Sequence, residues 1–156
     1  MMKLIGKEGE ELHLEVLGYQ FPGTEDDEWD SEWLIVAGSV WCARGRWKFR
    51  DPCLCTFELR ALVDWLRDVP VGGPEREIGF LEPNLRFEHV ESPEGDVLLV
   101  AFSQESSPPW ASEGERYGEG YALLFPFSLS DFVTASAALE KMLLKWPVRT
   151  RKPEAG

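Results

Sequence analysis

Two segments with a helical apolar period each stand behind a run of short strand-like segments, and this order constrains the fold more than any single motif. The first helix opens at Thr56 and carries Leu59, Leu62, Val63 and Leu66 at i, i+3, i+4 and i+7. Pro70, Gly72, Gly73 and Pro74 stop it. The second opens at Ser128, with Asp131 three residues on in the manner of a capping box, and runs through Trp146. Phe132, Ala135, Leu139, Met142, Leu143 and Trp146 form its buried stripe.

Residues 3–5 and 12–16 flank a turn of Gly6, Lys7, Glu8 and Gly9, and Leu12, Leu14 and Val16 alternate with Glu11, His13 and Glu15. That alternation gives a hairpin with one wet face. Residues 33–42 and 47–49 form a second hairpin, which Pro52 is expected to end. Turn residues then divide strands at 78–81, 85–90, 97–102 and 121–125. The order is four strands and a helix, twice over, as a duplicated ββββα unit would give. The expected fold is α+β: a curved, largely antiparallel sheet of about eight strands with two helices packed on it. One domain over residues 1–148 is expected, with Trp33, Trp65 and Trp146 buried and a flexible basic tail at 149–156.

Sixteen basic against twenty-eight acidic residues give a formal charge of −12. Such a surface repels phosphate, which argues against nucleic acid or an anionic membrane and favours a basic partner. No apolar run approaches the roughly 18 residues that span a bilayer. The first residues carry no signal-peptide pattern, and three cysteines are too few for a disulfide framework, so a cytoplasmic address is expected.

Catalytic motifs are missing: no G-x-S-x-G, H-E-x-x-H, P-loop or G-x-G-x-x-G occurs. Cys53 and Cys55 read as small buried hydrophobes, because a zinc site needs about four ligands and only Cys42, His13 and His89 could join them. No metal or other cofactor is expected. Six carboxylates crowd residues 25–32, without the glycine and terminal glutamate of an EF-hand loop. Residues 103–120 form a Ser, Pro, Gly and Glu-rich connection longer than most. The expected partner-binding set therefore joins Glu25, Asp26, Asp27, Glu28, Trp29 and Asp30 to Trp110 and Tyr117 of the second loop. The sheet face carrying His13 and Glu15 is the next choice. Two other readings stay open. One is a hydrolase using Asp30, Asp51 and Glu82, and the other a small-ligand or carbohydrate module using exposed Trp29, Trp110 and Tyr117.

Five ordered segments carry a family likeness. They are Tyr19-Gln20-Phe21-Pro22, Asp30-Ser31-Glu32-Trp33-Leu34, Phe49-Arg50-Asp51-Pro52-Cys53-Leu54, Phe80-Leu81-Glu82-Pro83-Asn84-Leu85 and Phe125-Pro126. Together they resemble the WapI-type family of bacterial immunity proteins over about residues 3–148. The resemblance implies a cytosolic antidote that binds the toxic C-terminal domain of a secreted, contact-dependent toxin, in the founding case a nuclease acting on tRNA. A nuclease must present a basic surface to its substrate, and an acidic protein complements it.

Overall fold

In the computed structural model, which describes residues 1–23 and 30–149, the eight strands divide evenly between two antiparallel sheets. The first holds β1 (Met2–Ile5), β2 (Glu11–Tyr19), β3 (Trp33–Cys42) and β4 (Gly45–Cys55) in chain order. Helix α1 (Thr56–Asp68) follows. The second sheet holds β5 (Glu77–Ile78), β6 (Leu85–Ser92), β7 (Gly95–Phe102) and β8 (Tyr121–Pro126), again in chain order, and helix α2 (Leu129–Lys145) closes the pattern. The expected strand and helix order is therefore found, with four strands to each sheet.

Alternation in β2 and β3 decides which face turns inward. Leu12, Leu14, Val16, Leu34, Val36 and Val40 are buried, and they meet Phe87, Leu98, Val100, Phe102 and Phe125 of the second sheet in one core. Gly38 belongs to that inner face because the Phe49 ring lies across it; a Cβ there would stand 2.1 Å from the ring. The two helices pack on each other. Ser136 Oγ donates to the Val63 carbonyl at 3.1 Å, and Glu140 accepts from Arg60 at 2.9 Å and Arg67 at 3.1 Å. Those two guanidinium groups hold the Glu140 carboxyl below its usual range, with the Arg60 hydrogen bond the largest cause.

Three local expectations are corrected. Pro52 does not end a strand: β4 continues to Cys55, and the register shift between Leu34 and Val36 leaves Pro52 and Cys53 together opposite Ile35. On an edge strand at a bulge the missing N–H costs no ladder bond. Thr56 is not the cap of α1 but its first residue. Cys55 is the cap, and Glu58 accepts from its N–H at 3.0 Å. Of the three tryptophans expected in the core, Trp65 is buried while Trp33 and Trp146 are half-buried. Trp47 is buried as deeply as Trp65.

Ser128 and Asp131 do form the reciprocal cap of α2, the Asp131 carboxylate accepting from the Ser128 N–H at 2.9 Å. After α2 the chain turns back to β2. Tyr19 Oη donates to the Pro147 carbonyl at 2.6 Å, and the Arg149 guanidinium sits 4.2 Å over the Tyr19 ring while donating to Phe21 and Pro22 carbonyls. Arg149, assigned to the tail by sequence, is thus tied down; the rest of that tail, residues 150–156, lies outside the described residues. No helix among the described residues is long and apolar enough to cross a membrane.

Candidate functional site

The expected binding loop lies mostly outside the described residues, which exclude Glu25, Asp26, Asp27, Glu28 and Trp29. Asp30 is described and exposed, at the start of a short 3-10 turn, Asp30–Glu32. Two residues on, the acidic run changes role. Glu32 is 1% exposed, accepts from the Thr56 hydroxyl, and accepts from the Arg149 N–H at 2.8 Å. It is a structural carboxylate joining the turn, α1 and the C-terminal segment.

The second loop separates its two aromatics. Tyr117 is 68% exposed, in the turn Glu115–Glu119. Trp110 is half-buried, against the expectation of an exposed ring. It meets Trp47 edge-on at 5.4 Å and Tyr121 at 6.1 Å, under the Arg44 guanidinium at 5.6 Å. Arg116 pins the loop by donating to the carbonyls of Gln104 and Pro108, and Ser112 and Glu115 exchange bonds at 2.9 and 3.1 Å. The length of this segment reads as functional or mobile, yet its contacts are those of a packed cover over the open side of β4. Of the aromatic trio expected for a small ligand, Trp29 lies outside the described residues, and no ring contact joins Trp110 to Tyr117 among those described.

The carboxylate trio is regrouped too. Asn84, fully buried, donates through Nδ2 to Asp51 at 3.2 Å and to Glu105 at 3.5 Å. Burial raises the Asp51 pKa, Glu105 raises it further, the Asn84 bond lowers it, and Glu82 adds a smaller rise. Glu82 is exposed. The neighbour that matters is Glu105, a residue that no pattern in the chain singles out. A carboxyl with a raised folded-state pKa opposes folding once ionised. The penalty is absent below the ordinary value of 3.8, grows as pH rises through the folded-state value, and persists at neutral pH. Asp51→Asn is therefore expected to melt above the wild type at pH 7 and with it at pH 3. A lower melting temperature at pH 7 would show that the charged form is wanted there.

Burial pushes the Cys53 and Cys55 thiols up to about 12, so both stay protonated and are poor nucleophiles. His89 is buried against Phe132, with Nδ1 accepting from Arg76 at 2.7 Å and Nε2 facing Asp96 at 3.3 Å. Among the described residues no three His, Cys, Asp or Glu side chains are grouped as a metal site requires.

What remains is surface. The outer face of the first sheet presents Glu11, His13 and Glu15 on β2, Ala37, Ser39 and Trp41 on β3, and Arg46, Lys48 and Arg50 on β4. The last three are all exposed, and a depression of about 400 Å³ opens between Ser39, Trp41, Arg46 and Lys48. Alternation alone places His13 on this face. The basic column opposite it is legible by the same rule, since Arg46, Lys48 and Arg50 alternate with Trp47 and Phe49.

The family model for the Immunity protein WapI-like family matches residues 3–147. A comparison with curated proteins gives no match. The matched span begins in β1 and ends just past α2, taking in both sheets and both helices, and on that ground the chain belongs to the WapI-like immunity protein family.

Proposed function

We propose that this protein is a cytoplasmic antidote that binds the toxic C-terminal domain of a cognate secreted toxin and neutralises it by occupancy, without catalysis. Membership of the immunity family carries the reading. The charge of −12 supports a basic partner, such as the nucleic-acid-binding surface of a nuclease. The binding surface proposed is Glu25, Asp26, Asp27, Glu28, Trp29 and the exposed Asp30, with Tyr117 contributing from the second loop. Trp110 supports that loop from beneath, so its truncation is expected to cost both stability and affinity.

The test is the pair of rate constants for a candidate toxin domain, measured at low and high salt. Reversing Glu25, Asp26, Asp27 and Glu28 to lysine is expected to slow association and remove much of its salt dependence, because clustered charge acts mainly on encounter. Trp29→Ala is expected to speed dissociation, by about 2 kcal/mol in affinity if the ring is an anchor. Toxin binding that neither change alters moves the interface elsewhere, and no binding by the wild type refutes the antidote reading.

A further inference from the structure

The outer face of the first sheet has a charge pattern that matches itself. Register sets three rows across it: Glu11, Trp41 and Arg46; His13, Ser39 and Lys48; Glu15, Ala37 and Arg50. Each row runs from β2 through a residue on β3 to a cation on β4, and β1 adds the exposed Ile5 beside Glu11 and the exposed Lys3 beside His13. Arg46, Lys48, Arg50 and Glu15 are exposed, and no side chain among them makes a hydrogen bond or ion pair with a described residue. Most other described arginines are engaged: Arg60, Arg67, Arg76, Arg86, Arg116 and Arg149 all bond to oxygen. Three cations without a described side-chain partner in one column of so acidic a chain are unusual, and Arg46 and Arg50 do not pair with the acids of their own rows. Two strand spacings, about 10 Å, separate Glu15 from Arg50.

We infer that this face is where a second copy of the chain docks, sheet against sheet, about a two-fold axis parallel to β3. Such an axis lays β4 of each copy over β2 of the other and keeps the rows in order. Arg46 then meets Glu11 of the second copy and Arg50 meets its Glu15, each pair formed twice. Lys48 meets the second copy's His13, whose ring is held by its own Glu11 at 3.0 Å but stands beside the exposed Lys3, so the attraction rests on the two outer rows. Ala37, Ser39 and Trp41 lie along the axis; the first two are small enough for sheets at the usual separation of about 10 Å, and the Trp41 ring, leaning on His13 at 4.8 Å, meets its own copy. The perpendicular in-plane axis would set β4 on β4 and oppose like charges, so the pattern selects one of the two arrangements.

The face offers fewer side chains than the roughly 20–30 residues a side of a stable complex, which sets the dimer at the weak end. At about 0.15 M salt the Debye length is near 8 Å, so the repulsion between two acidic chains is largely screened while contact pairs persist. Sedimentation equilibrium of the full chain, from micromolar to near-millimolar concentration, is the test. The wild type is expected to dimerise. Arg50→Glu and Glu15→Arg alone are each expected to weaken the dimer by about tenfold or more, since each sets like charges opposite one another twice. Mixed in equal amounts, these two variants are expected to form a heterodimer of near wild-type strength. One copy then carries acids at both positions and the other carries bases at both, so each of the two contacts again pairs opposite charges. The double variant is expected to dimerise as the wild type does. Both positions are exposed, so melting temperatures should stay close to wild type and exclude misfolding. A monomeric wild type at every concentration, or a mixture no stronger than its components, overturns the inference. Variants that leave self-association unchanged but weaken toxin binding also overturn it and assign the face to the toxin. No toxin is needed to measure the dimer, so its failure leaves the antidote reading untouched.

Discussion

Replacing Trp47 with alanine is expected to lower the unfolding free energy by about 3–5 kcal/mol, the usual cost of emptying a large aromatic site in a core. For a domain of this size that corresponds to roughly 6–20 °C in melting temperature. The ring is 6% exposed and stands where both sheets and the second loop meet. It contacts Phe102 of β7 at 5.3 Å, Tyr121 of β8 at 5.9 Å and Trp110 of the loop at 5.4 Å, all edge-on. Its Nε1 also donates to the Ser106 carbonyl at 2.8 Å. Trp47→Phe keeps most of the packing and loses that bond, so a smaller loss of about 1–2 kcal/mol is expected. Chemical denaturation of both variants checks the order. A Trp47→Ala protein as stable as the Phe variant would mean that the sheets are held together elsewhere.

Trp47 also marks where the sequence stops being informative. Its place on a strand follows from alternation with Arg46 and Lys48, and its burial follows from the face it shares with Phe49. Its partners do not follow, because they come from β7, β8 and a loop more than fifty residues away. The same division holds throughout. Strand β3 and the two helical stripes are legible to within a residue or two, since period and capping are local. The sharing of eight strands between two sheets depends on which edges meet, and neither pattern nor turn chemistry encodes that. Pro52 misleads for a related reason: a proline ends a central strand but is tolerated at a bulge on an edge.

Of the candidate site, Asp30 and Tyr117 are exposed, as the composition of their segments implies. Trp110 is not, because its ring fills the space over Gly45 and against Trp47. Glu32 is the sharper case. By sequence it is the last of an acidic run, indistinguishable from Asp30, yet Asp30 is exposed and Glu32 is buried.

That difference makes Glu32→Ala the second large effect. The carboxylate accepts from the buried Thr56 hydroxyl and from the Arg149 N–H at 2.8 Å, and at 1% exposure no water can replace it freely. Truncation leaves two donors without an acceptor, at about 1–3 kcal/mol each, so a loss of roughly 2–5 kcal/mol is expected. Glu32→Gln retains one acceptor oxygen and is expected to lose about half as much. A second readout separates this role from general damage to the core. The Arg149 amide should exchange with solvent much faster in the alanine variant, while amides in β3 and β6 should speed up only in proportion to the loss of global stability. With the Arg149 tie released, the bond from Tyr19 to the Pro147 carbonyl and the Tyr19–Trp146 ring contact at 5.4 Å should loosen together. If the alanine variant melts as the wild type does and the Arg149 amide stays protected, Glu32 is a surface acid after all. The acidic run would then extend two residues further than the burial pattern says.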